Sequence, residues 1–159
     1  MVRALNHVSV VAHDIEASTR FYVDELGLEQ LPTPEFGFPV VWLRAGSSQI
    51  HLFNRPGDPP PRAHFALEIE EFMPVYRRMK ELGVLEHVTF GSAVRELPDG
   101  GVQLYVRDPA GNLLELDHRD ASTIPCDEVP EYTRLADQAP QTGDAARATL
   151  WQPADPEIP

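Results

Sequence analysis

Two stretches of the chain carry the same sequence of hydrophobic and polar positions. HVSVVAHDIEASTRFYVDELGL, from His7, runs parallel to HFALEIEEFMPVYRRMKELGV, from His64. Each opens on a histidine in a short run whose apolar residues stand at every second position, the period of a strand. Each then passes acidic residues into apolar positions spaced three and four apart, the period of a helix, and ends in Glu-Leu-Gly at Glu25-Leu26-Gly27 and Glu81-Leu82-Gly83. The first helix is predicted to start after Asp14, a good N-cap, to place Ile15, Thr19, Tyr22 and Leu26 on one stripe, and to stop at Gly27. The second tolerates Pro74 in its first turn, where a missing N–H costs little, and is expected to bury Val75, Met79 and Leu82.

Three short strand-like segments separated by turn residues follow each helix. They are 28–30, 38–44 and 48–54 in the first half, and 94–97, 102–106 and 113–117 in the second. Pro98-Asp99-Gly100-Gly101 and Asp108-Pro109-Ala110-Gly111-Asn112 punctuate the second half, and the proline-rich run 56–61 reads as a stiff linker between the halves. The predicted fold class is α+β. It comprises paired βαβββ modules over about 1–55 and 62–118 forming a domain at 1–118, then a proline-rich acidic C-terminal tail at 119–159. A Trp in a solvated tail has little use, so the tail is expected to pack through Tyr132, Leu135, Leu150 and Trp151.

A chain of 159 residues suits one compact domain or two small modules sharing a core. The net charge of −12, with no sizeable Lys/Arg cluster, argues against a nucleic-acid partner. No apolar run approaches the roughly 20 residues of a membrane span. The N-terminal segment lacks a sustained apolar stretch and a small-residue cleavage site, so cytoplasmic residence is expected. Cys126 is the single cysteine and has no intrachain disulfide partner.

Candidate chemistry emerges from the strands. In a strand, the neighbours of a polar residue show which face is buried. Val8 and Val10 stand opposite His7, Ile50 and Leu52 bracket His51, Phe65 and Leu67 follow His64, and Leu114 and Leu116 bracket Glu115. If the helices cover the apolar faces, these four polar residues share the other, concave side. Imidazole and carboxylate suit Fe, Zn, Ni, Co or Mn, so one divalent metal ion held by His7, His51, His64 and Glu115 is the expected cofactor. A lone strand histidine is ordinarily a hydrogen-bonded surface residue. The pseudo-twofold match of His7 with His64, and of His51 with Glu115, favours the metal. His13, His87 and His118 lack such a match and are read as surface histidines.

The chain resembles the vicinal oxygen chelate superfamily, which includes glyoxalase I, methylmalonyl-CoA epimerase, extradiol ring-cleaving dioxygenases and bleomycin-resistance proteins. The resemblance spans about residues 3 to 118. It is carried by Asn6-His7-Val8, Phe21-Tyr22, Leu26-Gly27-Leu28, Gln49-Ile50-His51-Leu52, Ala63-His64-Phe65 and, most specifically, the run from Tyr105 to Leu116 with its Arg107-Asp108-Pro109-Ala110-Gly111-Asn112. It implies paired βαβββ modules forming a U-shaped metal-binding cup, with ligands on the first and last strands of each module. The implied substrate is a small molecule that chelates through adjacent oxygens.

Glyoxalase I would carry an acidic ligand where this chain has His51, and the epimerases usually an amide. In the extradiol dioxygenases two histidines and a glutamate hold the metal, matched here by His7, His64 and Glu115. A preceding acid/base histidine is matched by His51 and a tyrosine by Tyr105. The resemblance thus implies His51 and Tyr105 as catalytic residues and favours a non-haem Fe(II) dioxygenase, although a further histidine of those enzymes would fall near Glu96 and is absent. The alternatives are a glyoxalase- or epimerase-like lyase or isomerase using Zn, Ni or Co, with Glu68 or Glu96 as conceivable bases, and a non-catalytic small-molecule binding or resistance protein. Trp42, Phe53 and Tyr105 suggest a partly planar or apolar substrate such as a catechol. A homodimer is expected, because two modules can leave exposed sheet edges and many relatives pair modules between chains.

Overall fold

The computed structural model describes residues 2–151. Two sheets carry the fold. The first has strands β1 (His7–Val11), β2 (Glu29–Leu31), β3 (Val40–Ala45) and β4 (Ser48–Phe53) in the order β1-β4-β3-β2. The second has β5 (His64–Glu68), β6 (Val94–Glu96), β7 (Val102–Arg107), β8 (Leu113–His118) and β9 (Tyr132–Arg134) in the order β5-β8-β7-β6-β9. In each half a parallel pair, β1 with β4 and β5 with β8, closes the unit across its helix. The remaining pairs within the two βαβββ units are antiparallel.

The register repeats as well as the topology. His7 lies opposite Gln49, two residues before His51. His64 lies opposite Leu113, two residues before Glu115. Because side chains alternate with period two, both members of each pair face the same side of their sheet.

Helix α1 (Ile15–Arg20) starts where expected, with the Asp14 carboxylate accepting the Ala17 amide at 2.9 Å. It continues as a wider π-helical turn, Phe21–Glu25, that buries Phe21 and Tyr22, and Gly27 ends it at φ +74°. Helix α2 (Phe72–Glu81) holds Pro74 in its first turn and buries Met79 as expected, but departs from expectation in the rest of its stripe. It begins at Phe72 and buries Phe72, Tyr76 and Met79, spaced i, i+4, i+7. Leu82 lies past its last turn and is 37% exposed, and Val75 is only partly buried against the core. The stripe is therefore turned relative to the predicted one because Phe72, rather than Val75, sets its phase.

Both modules feed one core, in which Tyr22, Leu43, Ile50 and Leu52 join Tyr76, Met79, Leu104 and Leu116. Polar contacts fix how the modules meet. Tyr22 Oη donates to Asp108 Oδ2 at 2.8 Å, the Arg78 guanidinium donates to both carboxylate oxygens of Glu25 at 2.6 and 2.9 Å, and Asn112 Nδ2 donates to the Val11 carbonyl at 2.7 Å. Burial, then the Asp108 carboxylate, pushes the Tyr22 phenol well above its ordinary value, so it remains a donor. The modules thus join through their helices and the Asp108–Asn112 turn. Among the described residues the two sheets are not hydrogen-bonded to each other, and β1 and β5 each keep one unpaired edge.

The segment after His118 packs on the second module. Ile124 and Val129 are buried, and β9 extends the second sheet by pairing parallel to β6. The Arg119 guanidinium lies 4.2 Å from the centre of the Trp151 ring, whereas Leu150 is exposed. Residues 152–159 of the expected tail lie outside the described residues. Among the described residues no helix is long and apolar enough to cross a membrane.

Arg107, from the Arg-Asp-Pro turn, ties three loops together. Its guanidinium donates to Glu86 at 2.6 Å, to the carbonyls of Gly111 and Pro61 and to Thr89 Oγ1, each at 2.9 Å. Burial alone would raise the Glu86 carboxyl, but Arg107 and the amides of Thr89 and Val88 hold it below its ordinary value. A carboxyl depressed by folding stabilises the protein above its unfolded pKa and loses that contribution as pH falls through its folded pKa. Glu86→Gln is therefore expected to cost about 1–3 kcal/mol near neutral pH. In urea melts from pH 7 downward, the gap from the wild type should close below the ordinary carboxylate range. A gap constant with pH would contradict this linkage.

Candidate metal and substrate site

On the open face of the first sheet, opposite Val8, Ile50 and Leu52, stand His7, His51, Phe53 and Trp42. They are there because each alternates with a residue packed into the core. The rings of His7, His51 and Trp42 form one stack, with centroids 4.2 and 4.5 Å apart and planes within 13° and 9°. His7 Nδ1 lies 2.8 Å from Asn6 Oδ1, and His51 Nε2 lies 2.8 Å from Gln49 Oε1. An amide oxygen can only accept, so these bonds place the protons on His7 Nδ1 and His51 Nε2 and leave His7 Nε2 and His51 Nδ1 as lone-pair donors. Burial, and then the neighbouring His7, lower the His51 pKa from its ordinary value, favouring the neutral ring that ligation or proton acceptance requires.

The open face of the second sheet carries His64, Glu115 and Tyr105. His64 Nδ1 donates to the Arg62 carbonyl at 3.0 Å, which leaves the Nε2 lone pair free, and Nε2 lies 3.5 Å from Glu115 Oε2. Glu115 is only 5% exposed, and Gln103 Nε2 donates to its other oxygen at 2.7 Å. Tyr105 lies opposite Glu115 on the neighbouring strand and donates its hydroxyl to Gln103 Oε1 at 3.1 Å. Burial, followed by the Glu115 charge, raises the Tyr105 phenol and keeps it protonated. The same two causes push the Asp117 carboxyl up to about 8, and its Oδ1 is buried without a hydrogen-bond partner among the described residues. Phe90 closes the face, its ring centroid 5.5 Å from that of His64 and 4.6 Å from that of Tyr105.

The four expected ligands therefore stand as two pairs, His7 with His51 and His64 with Glu115. Among the described residues no three His, Cys, Asp or Glu side chains are grouped to hold a metal. A groove of about 700 Å³ between the modules, lined in part by Leu5, Val8, Gln49, His64 and Phe65, reaches His64. Neither conceivable base is free, since Glu68 pairs with Arg119 and Glu96 accepts from Tyr132 and Arg134. His13 and His87 are exposed as read. His118 corrects the reading, being buried on the core side, where Nε2 lies 3.0 Å from Thr123 Oγ1 and the ring packs near Phe72.

Gln103, Asp117, Phe90 and Arg95 were not singled out from the sequence. For three of them a signal existed: Gln103 and Asp117 alternate with Leu104 and Leu116, and Arg95 follows the buried Val94, which puts them on the polar face.

Comparison with known proteins agrees with this fold. The chain is 27% identical to Glyoxylase I 4 of Arabidopsis thaliana over 97% of its own length and 87% of that protein. It superposes on a putative glyoxalase family protein from Bacillus anthracis with a TM-score of 0.62 and 25% identity, covering 76% of this chain and 98% of the other. The structure of Oxidase ChaP-H2 is similar too, at a TM-score of 0.60 and 30% identity over 77% of this chain and 98% of its own. With a family match over residues 4–116 joined to the paired βαβββ topology, the chain belongs to the Glyoxalase/Bleomycin resistance protein/Dioxygenase superfamily.

Proposed function

We propose that the protein is a divalent-metal-dependent enzyme acting on a small molecule with two adjacent oxygens, and that its reaction is an Fe(II)-dependent oxidation of a diol. The observation carrying the reading is the His64–Glu115 pair. A lone pair on His64 Nε2 faces a buried carboxylate whose second oxygen is already held by Gln103. An imidazole oriented by a carbonyl and a carboxylate oriented by an amide form a donor set that fits a divalent ion. His7, oriented by Asn6, supplies the second imidazole of a two-histidine, one-carboxylate triad.

The register-equivalent pairs belong to one site completed between two copies of the chain, with the first module of one copy facing the second module of its partner. The unpaired edges of β1 and β5 and the separation of the two pairs within one chain support this arrangement. When bound, the ion supplies a Lewis acid for the substrate oxygens and, as iron, electrons for dioxygen. His51, neutral and stacked on His7, takes the diol proton at Nδ1, and Tyr105 donates a hydrogen bond to a substrate oxygen. Trp42 and Phe53 give a planar, apolar wall that excludes water beside an aromatic ring.

A second reading, proton transfer beside a carbonyl with all four residues as ligands to Zn, Ni or Co, is favoured by the likeness to Glyoxylase I 4 over nearly the whole chain. Anaerobic Fe(II)-loaded protein screened with catechols and then exposed to air is expected to consume oxygen with at least one diol. No uptake across a broad panel, with solvent deuterium entering a carbonyl substrate, would replace the first reading by the second.

A further inference from the structure

Arg95 stands apart from the other arginines. Eight arginines of the described residues form ion pairs. Arg95 forms none among the described residues; Arg3, Arg55 and Arg62 form none either, but those three are exposed, whereas Arg95 is half-buried. Its place is set by alternation. Val94 is fully buried in the core, so Arg95 points to the opposite, open face, the one that carries Glu115 and Tyr105.

On that face Arg95 lies opposite Gln103, and Gln103 opposite Asp117, so the guanidinium is one row of side chains from the Tyr105–Glu115 pair. One guanidinium nitrogen, Nη2, donates to the carbonyl of Phe90, whose ring packs against both His64 and Tyr105. The Nε–H is buried with no acceptor among the described residues. A buried donor on a cation without an acceptor is costly, and a ligand oxygen would relieve it. The nearby carboxylates do not quench the charge. Glu68 is taken by Arg119, Glu115 accepts from Gln103, and Asp117 is separated from Arg95 by the width of a strand.

The geometry points to Arg95 as the anchor for an anionic group on the substrate, most simply a carboxylate. This rests on the reading that the open face of the second module receives the substrate, and it narrows the substrate to a carboxylated diol. Two strand spacings separate β6 from β8, about 9.5 Å. Glu115 lies one row further along β8, so an anionic group held by Arg95 and oxygens held at Glu115 would sit at opposite ends of one substrate. The planar fork of arginine binds a carboxylate through two parallel hydrogen bonds, which lysine cannot reproduce. In an acidic protein this cation also offsets the repulsion an anion would meet from the face bearing Glu115 and Asp117.

Two measurements on the 159-residue chain test this. In the first, sodium benzoate is titrated into the chain without added metal while arginine Nε–H signals are followed by NMR, with Arg95→Gln assigning the Arg95 signal. A saturable shift of that signal, absent with benzamide, is expected, and an Arg95 signal that ignores benzoate overturns the proposal. In the second, the Zn-loaded chain is titrated calorimetrically with 3,4-dihydroxybenzoate and with catechol. Wild-type protein should prefer the carboxylate, Arg95→Gln should lose about 10- to 100-fold in affinity for it while binding catechol as before, and Arg95→Lys should recover only part. Equal binding of the two diols by the wild type, or equal losses for both in Arg95→Gln, overturns the anchor and leaves the metalloenzyme reading standing. If neither diol binds, the diol reading fails, and the benzoate titration alone decides the role of Arg95.

Discussion

Replacing Glu115 by alanine is expected to reduce bound divalent metal from about one ion per site to none that survives desalting, an affinity loss well above the 10- to 100-fold typical of removing a supporting residue. Glu115 is the single expected ligand carrying a negative charge, and metal binding by neutral imidazoles alone gives up its attraction for a dication. Gln103→Ala should fall between, because it leaves the carboxylate in place but frees it to rotate. His13→Ala, at an exposed residue whose ring bonds to the Gly57 carbonyl, should bind metal as the wild type does. Folding can be separated from ligation. Glu115 is among the causes raising both Asp117 and Tyr105, so Glu115→Gln removes a buried repulsion and is expected to melt no lower than the wild type. Elemental analysis after incubation with Fe, Zn, Ni, Co and Mn reads the first outcome and thermal melting the second. Stoichiometric metal retained by Glu115→Ala would remove the site.

Strict alternation made much of this legible in the sequence. Val8 and Val10 against His7, and Leu114 and Leu116 against Glu115, assigned faces correctly because a strand slip of one residue would have turned every apolar side chain to water. The helix ends were legible at Asp14 and Gly27, where a side-chain cap and a positive φ leave chemical signatures. In helix α2 Met79 is buried as its spacing predicts, but Phe72 and Tyr76 outweigh the smaller Val75 in choosing the rest of the buried stripe, and Leu82 falls past the last turn. Strand β9 leaves no pattern in the sequence. Its three residues pair parallel at an edge, too short for a period to declare itself. The pairing of His7 with His51, and of His64 with Glu115, follows from local register, but whether the two pairs meet depends on how the modules dock. That docking is fixed by Tyr22 with Asp108 and Arg78 with Glu25, contacts more than fifty residues apart that leave no local pattern. Arg95 is hidden in the sequence for a related reason, since one polar residue beside a buried valine has the pattern of an ordinary strand arginine.

Mixing two inactive variants is expected to restore metal binding, the largest effect the between-copies arrangement predicts. His7→Ala damages the half-site of the first module and Glu115→Ala that of the second, so each homodimer has two defective sites. In a mixed dimer the damaged halves fall together in one site, and the other site combines an intact first module with an intact second module. Random exchange makes half the dimers mixed, so about one quarter of all sites should bind metal again, in a dimer with the twofold symmetry most homodimers adopt. The structure gives this test its force. His7 stacks on His51 within its own module, and the His64–Glu115 pair is complete within the other, so each variant leaves one half-site intact. The unpaired edges of β1 and β5 are surfaces a protein ordinarily covers. Co-expression with distinguishable tags, isolation of the doubly tagged species and elemental analysis give the outcome directly. Such mixed dimers should bind one ion for every two chains. Doubly tagged dimers as empty as either parent would mean that the site closes within one chain, and a species that stays monomeric by light scattering would exclude assembly as the means of closing it.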